Sequence, residues 1–92
     1  MKKVLDSGII VLSFTNRNLR TFYLPWKVDE KNGTFFHPNG ENGLVDKLFD
    51  VEGVETVAIC KDAISIEKGM SSNWKNMTSQ IQDVLLETKH ID

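Results

Sequence analysis

Hydrophobic and β-branched residues dominate two short stretches near the N-terminus, residues 8–14 and residues 19–24. Between them lies the polar sequence Asn16-Arg17-Asn18, whose asparagines favour a turn. This pattern predicts two β-strands joined by a polar connection. Residues 26–37 then show no clear period, and the Asn32-Gly33 dipeptide within them favours a tight turn.

A short amphipathic helix is predicted after the loop-forming residues 38–43, which are rich in Asn and Gly. Asn42 is a candidate N-cap for this helix. The apolar residues that follow have the i, i+1, i+4, i+5 spacing of one helical face, and they are Leu44, Val45, Leu48 and Phe49. We expect the helix to end near Asp50.

The pattern changes to a period of two after Val54, which predicts a β-hairpin that turns at Lys61-Asp62. In this register each face of the hairpin has a distinct composition. Large apolar residues share one face, Ile59 with Ile64 and Val57 with Ile66, and small residues share the other, Ala58 with Ser65 and Cys60 with Ala63.

A second amphipathic helix is predicted to begin near Trp74, with Ser71 or Ser72 as its cap. The order strand, strand, helix, strand, strand, helix predicts one α+β domain over residues 1–92, a two-layer sandwich of a mainly antiparallel sheet with two helices on one face. The periodic faces together predict this core: Val11, Phe22, Leu44, Leu48, Phe49, Val54, Val57, Ile59, Ile64, Ile66, Trp74, Met77, Ile81, Val84 and Leu85.

Length and charge indicate the number of domains and exclude some kinds of partner. A chain of 92 residues with 40% hydrophobic residues fits one globular domain, and a net charge of −2 argues against nucleic acid as a partner. Asp6 interrupts the N-terminal apolar run, and no stretch approaches the length of a membrane span, so we expect neither a leader nor a membrane partner. The lone cysteine, Cys60, favours a reducing compartment, with the cytoplasm as the default.

The inventory of reactive residues predicts no enzyme, no cofactor and no metal site. Cys60, His37 and His90 are the softest metal ligands, but their spacing does not bring them together. The acidic residues Asp46, Asp50, Glu52 and Glu55 have the spacing of a solvated surface around a helix end. Trp74 is a candidate binding anchor, although its phase with the other apolar residues of its helix favours the core.

Several segments resemble the N-terminal domain of the NifU-like (Nfu) proteins of iron–sulfur cluster biogenesis. The similarity is specific over residues 43–86, where Leu48-Phe49 leads to Gly53-Val54 and then to the hairpin, Lys68 and Trp74. Upstream, residues 16–22 look like the family's Asn-Pro-Asn-Thr-Leu-Lys-Phe segment, although Arg17 replaces the proline. Ala63 also departs from the family, which commonly has a Phe there.

The resemblance implies a non-catalytic recognition module. Family members carry their cluster on a C-terminal domain with a Cys-x-x-Cys motif, which this sequence lacks, so no cluster site is transferred to any residue here. We therefore expect a stand-alone accessory or protein-interaction module in iron–sulfur cluster assembly or delivery, monomeric and with another protein as its partner. For a eukaryotic source, mitochondria are the alternative compartment.

Two other hypotheses remain open. Cys60 is a candidate reactive thiol in a redox or persulfide role, with Lys61 as its basic neighbour. The fold could also serve as an interaction module unrelated to iron–sulfur clusters. For partner binding, the candidates are the polar first connection and the small-residue face of the hairpin: Asn16, Arg17, Asn18, Arg20, Ala58 and Ser65.

Overall fold

Six strands and two helices make up the fold in the computed structural model, which describes residues 1–28, 30–41 and 43–89. The strands are β1 (Lys2–Val4), β2 (Ile10–Ser13), β3 (Leu19–Tyr23), β4 (Gly33–Phe35), β5 (Val54–Cys60) and β6 (Ala63–Lys68). The helices are α1 (Leu44–Phe49), between β4 and β5, and α2 (Trp74–Leu86), after β6. The predicted α+β class and element order are confirmed, with two further short strands.

All strands pair antiparallel in one sheet, in the spatial order β1-β2-β3-β6-β5-β4. Strands β3 and β6 lie at its centre, although the chain between them contains β4, α1 and β5. Buried residues of both helices join those of the central strands in a single hydrophobic core. The helices therefore cover one face of the sheet, and the opposite face has no covering layer among the described residues.

The hairpin register agrees with the prediction from side-chain alternation. Ile59 pairs with Ile64 and Ala58 pairs with Ser65. Lys61 adopts a positive φ of 58° at the turn, which a two-residue hairpin loop requires. A bulge between Val54 and Thr56 interrupts the register at the start of β5.

The core contains every residue predicted for it. Phe49, Val54 and Val84 are only partly buried, and the other predicted residues are buried. The structure adds four buried apolar residues that the prediction omitted: Ile9, Leu24, Val45 and Val51. Ile9 directly precedes β2 and is buried like Val11, because alternate residues of an extended chain point to the same side.

Three local predictions concerning turns and caps need revision. Asn32-Gly33 forms no hairpin turn, because Gly33 begins strand β4 and the Asn32 side chain accepts a hydrogen bond from the Lys61 amide (2.8 Å). The cap of α2 is Asn73, whose side-chain oxygen accepts from the Lys75 amide, and is neither Ser71 nor Ser72. The N-cap residue of α1 is Gly43 and not the predicted Asn42. Asn42 itself lies outside the described residues, as does His90.

Among the described residues, no helix is long and apolar enough to cross a bilayer.

Candidate functional site

The sequence-predicted site residues fall on two different sides of the sheet. Ala58 and Ser65 pair across β5 and β6 on the uncovered side, which we call the open face. Arg20 pairs with the buried Ile66 and so points toward the helices. The two candidate regions therefore form two separate surfaces.

The open face carries a continuous apolar row, because the registers of neighbouring strands align its residues. Successive pairs across the sheet build this row: Val4 with Ile10, Ile10 with Tyr23, Tyr23 with Ala63 and Ala63 with Cys60. Val4 is 60% exposed and Tyr23 is 40% exposed. Large apolar residues thus occupy the β1–β3 half of the open face, and small residues occupy the β5–β6 half.

Ser65 is less available to a partner than its sequence pattern indicates. Its hydroxyl lies 2.8 Å from the hydroxyl of Thr21, the neighbouring residue on β3. Thr21 is buried although it belongs to the open face. This cross-strand hydrogen bond fixes both side chains and leaves Ala58 as the flat contact surface beside them.

Cys60 lies at the edge of the open face, at the end of β5. The residue is exposed and its thiol is free. The position is therefore open to chemical reagents. Among the described residues, no group of three or more His, Cys, Asp or Glu side chains has the geometry to hold a metal ion.

The first connection, by contrast, is tied to the helix side of the molecule. Its backbone carbonyl at Arg17 accepts a hydrogen bond from the indole Nε1 of Trp74 (2.7 Å). The Asn16 side chain accepts from the Asn18 amide, which closes a local turn (3.0 Å). Trp74 is buried in the core, as its helical phase predicted, and also fixes this connection.

Arg20 is held by neutral groups of α2. Its Nη1 donates to the Thr78 hydroxyl (3.1 Å), and its guanidinium lies 5.0 Å from the centre of the Trp74 ring. Burial lowers the pKa of Arg20 from its ordinary value, and the guanidinium keeps its charge at any physiological pH. The expectation of an exposed arginine on a polar connection was wrong, because Arg20 shares the buried face of β3 with Phe22.

Lys68 is a functional candidate that the sequence analysis missed. It is only 8% exposed, and its ammonium donates to the Asn18 side-chain oxygen (3.1 Å) and to the Gly69 carbonyl (3.2 Å). The signal was present in the alternation of β6, which places Lys68 on the same face as Ile64 and Ile66. The ion pair found between described residues joins Lys47 to Glu87, so no described carboxylate pairs with Lys68 or Arg20.

Arg20 and Lys68 lie in a cleft of about 880 Å³ between the sheet and α2, which we call the basic cleft. Its walls come from β1, β2, the first connection and the first turns of α2. Cationic, hydroxyl and apolar side chains line it, including Lys3, Arg17, Lys75, Ser13, Ser72, Leu5 and Val11.

Solved structures of other proteins share this fold. A crystal structure of protein SAV1430 from Staphylococcus aureus is similar with a TM-score of 0.70 at 19% identity, covering 82% of this chain and 93% of that one. A solution structure of a NifU-like protein from Saccharomyces cerevisiae has a TM-score of 0.68 at 23% identity, covering 86% of this chain and 75% of that one. At these identities the likeness establishes the fold.

A curated protein is also similar to part of this chain in sequence. A NifU-like protein from Schizosaccharomyces pombe is 36% identical over 44 residues, which are 48% of this chain and 17% of that protein. The chain thus spans about a sixth of this curated relative.

The fold and its two surfaces define a small α+β domain with one open sheet face and one basic cleft. The family model described as scaffold protein Nfu/NifU N terminal matches residues 9–90, and the chain belongs to that family. Membership implies involvement in iron–sulfur cluster biology. The resemblance first noted over residues 43–86 is confirmed and extends over almost the whole chain.

Proposed function

We propose that this domain is a non-catalytic protein-interaction module in iron–sulfur cluster assembly or delivery. In this proposal it acts in the cytoplasm as a monomer, and it contacts an assembly factor or a client protein without holding a cluster itself. Family membership supplies the biological context. The open face supplies the physical argument for a protein partner.

The open face is the observation that carries the proposal. Its apolar row runs from Val4 to Cys60 across five neighbouring strands and has no covering layer among the described residues. Exposed apolar and aromatic side chains beside a flat area of small residues suit the close contact of a protein interface. Tyr23 lies near the middle of the row, where an aromatic side chain contributes most to binding.

The number of thiolate ligands supports the view that the domain does not hold a cluster. Iron–sulfur clusters are usually held by four cysteine thiolates. The sequence has one cysteine, and Cys60 lies on a strand of the open face. The proposed role is therefore contact with a protein that holds the cluster.

The test measures binding of the purified domain to purified iron–sulfur assembly and client proteins by isothermal titration calorimetry. The variant Ala58→Glu/Ser65→Glu places two carboxylates on the open face, and we expect it to weaken binding about tenfold or more by burying unpaired charge. The variant Asn76→Glu/Gln80→Glu is the matched control, because it adds the same charge at exposed positions of α2. We expect the control to bind like the wild type.

A second pair of variants tests the predicted contribution of the first connection. Arg17→Glu/Arg20→Glu reverses two charges on the helix side of the sheet. If that variant alone loses partner binding, the partner docks at the basic cleft and the open-face proposal is wrong. If every assembly protein binds all the folded variants with equal affinity, neither surface serves this function.

The alternative role of Cys60 as a reactive thiol is tested by measuring cluster delivery alongside partner binding. A redox or persulfide function through Cys60 predicts that Cys60→Ser removes activity in cluster delivery while partner binding persists. The exposure of Cys60 favours access by a second thiol. An interaction module unrelated to iron–sulfur clusters predicts instead that no assembly or client protein binds.

A further inference from the structure

The positive charge of this chain is unevenly distributed over its surface. Five of its eleven Lys and Arg residues line the basic cleft: Lys3, Arg17, Arg20, Lys68 and Lys75. No Asp or Glu is present among the described residues of its lining, although acidic residues outnumber basic ones in the whole chain. Although the net charge of the chain is −2, the charged residues in the described lining of the basic cleft are all positive.

The two inner charges of the cleft are held in place before any ligand arrives. Arg20 is fixed by Thr78 and by the Trp74 ring, and Lys68 is fixed by Asn18 and by the Gly69 carbonyl. All these groups are neutral, so they orient the cations without compensating their charge. A bound anion would therefore meet two positive charges that are already oriented.

We propose that the basic cleft binds a small organic anion that carries a phosphate or carboxylate group beside an apolar body. The anionic group would meet Arg20 and Lys68, where charge-assisted hydrogen bonds are available. The apolar body would contact the wall formed by Leu5, Val11 and Trp74. This site is distinct from the open face, and the inference does not depend on the proposed protein-binding function.

The size of the cleft is compatible with a small molecule. Its volume of about 880 Å³ falls within the ~300–1,000 Å³ typical of small-molecule sites. Lys68 lines the cleft and is only 8% exposed, so the flat surface of a macromolecule has little access to it. The hydroxyl groups of Ser13 and Thr78 in the lining can also donate hydrogen bonds to an anion.

The test uses three probes that separate charge from apolar surface: phenyl phosphate, inorganic phosphate and benzyl alcohol. Binding is followed by nuclear magnetic resonance titration of the ¹⁵N-labelled domain at constant ionic strength. The two tryptophan indoles serve as reporters, because Trp74 lines the cleft whereas Trp26 donates to Thr88 outside it. We expect phenyl phosphate to shift the Trp74 signal, to bind more tightly than inorganic phosphate and to leave Trp26 unmoved, whereas benzyl alcohol causes no shift.

Variants then assign the binding to the cleft. Lys68→Met removes the buried charge and keeps an aliphatic chain, and we expect about tenfold or greater loss of phenyl phosphate affinity. Lys3→Gln/Lys75→Gln changes two exposed residues of the lining, which preserves folding, and should weaken binding about threefold or more. The matched control Lys27→Gln/Lys31→Gln loses the same charge outside the cleft and should bind like the wild type.

Three outcomes would overturn the proposal. The first is an equal loss of affinity in the Lys3/Lys75 variant and in the control. The second is a set of shifts scattered over the surface with Trp74 unmoved. The third is saturable binding of a hexaglutamate peptide at the cleft without binding of phenyl phosphate, which would assign the cleft to an acidic protein segment.

Discussion

Gly53 provides a sharp test of how the fold is held together at the junction of α1, β5 and α2. It adopts a φ of +99°, which residues with a side chain rarely adopt. A Cβ atom placed there would lie 2.5 Å from the Ser72 hydroxyl oxygen, 2.7 Å from the Ser72 Cβ and 3.0 Å from the Met77 sulfur. The Gly53 carbonyl also accepts a hydrogen bond from the Gly69 amide (3.0 Å), which limits backbone movement away from the clash.

The expected cost of Gly53→Ala has two parts. The unfavourable backbone conformation costs about 1–3 kcal/mol, and the overpacking against Ser72 costs about 1–3 kcal/mol. Their sum is about 2–6 kcal/mol, against a total stability of about 5–14 kcal/mol for a domain of this size. Because 1 kcal/mol shifts the Tm of such a domain by about 4–8 °C, Gly53→Ala should lower the Tm by about 10 °C or more.

Thermal and urea denaturation followed by circular dichroism measure this change, and Gly40→Ala is the matched control. Gly40 also has a positive φ, +79°, but a Cβ there would meet nothing within 4 Å. Gly40→Ala should therefore show only the conformational part of the cost, about 1–3 kcal/mol. Adding Ser72→Gly to Gly53→Ala should recover the steric part, about 1–3 kcal/mol, in a double-mutant cycle.

Equal stability losses for Gly53→Ala and Gly40→Ala would refute this reasoning. They would mean that the segment around Ser72 moves aside without cost. A double-mutant cycle with no coupling between Gly53 and Ser72 would lead to the same conclusion, because the steric part would then be absent.

Three further predictions concern the core and the cysteine. Leu48→Ala should cost about 2–5 kcal/mol in urea denaturation, because Leu48 is fully buried on α1; an unchanged midpoint would contradict the packing of that helix. Anaerobic reconstitution with iron and sulfide should give no stable cluster, since one thiolate is available; visible absorption with stoichiometric iron and sulfide, lost in Cys60→Ser, would show the opposite. Cys60→Ser itself should preserve both fold and partner binding, because the residue is exposed; a lowered Tm or lost binding would give Cys60 a larger role.

The central part of the fold was predictable because its side chains alternate strictly between a buried and an open face. A register slip of one residue in the β5–β6 hairpin would have exposed Ile59 and Ile64, so the pattern allowed one pairing. The edge strands carried no such signal. Strand β1 has three exposed residues and β4 is equally short, so their pairing adds little burial that a sequence could reveal.

The sequence predicts only some of the functional residues of the basic cleft. The sequence identifies Arg17 and Arg20 and predicts both on an exposed connection. Arg17 is exposed there, whereas the register of β3 directs Arg20 toward the helices. Lys68 was noted as part of a resemblance and not as a buried charge. The cleft depends on three hydrogen bonds between residues far apart in the chain. These bonds join Lys68 to Asn18, Trp74 to Arg17 and Arg20 to Thr78.

The central pairing of β3 with β6 has a consequence for folding kinetics. Strands β1 to β3 form a local meander, and β5 and β6 form a local hairpin, but the two halves join only after the chain from Leu24 to Asp62 closes into a loop. Closing this loop costs conformational entropy before the β3–β6 pairing forms. We therefore expect loop closure to limit the folding rate. Substitutions that strengthen the β3–β6 pairing should therefore accelerate folding, whereas those confined to the edge strand β1 should act mainly on the unfolding rate.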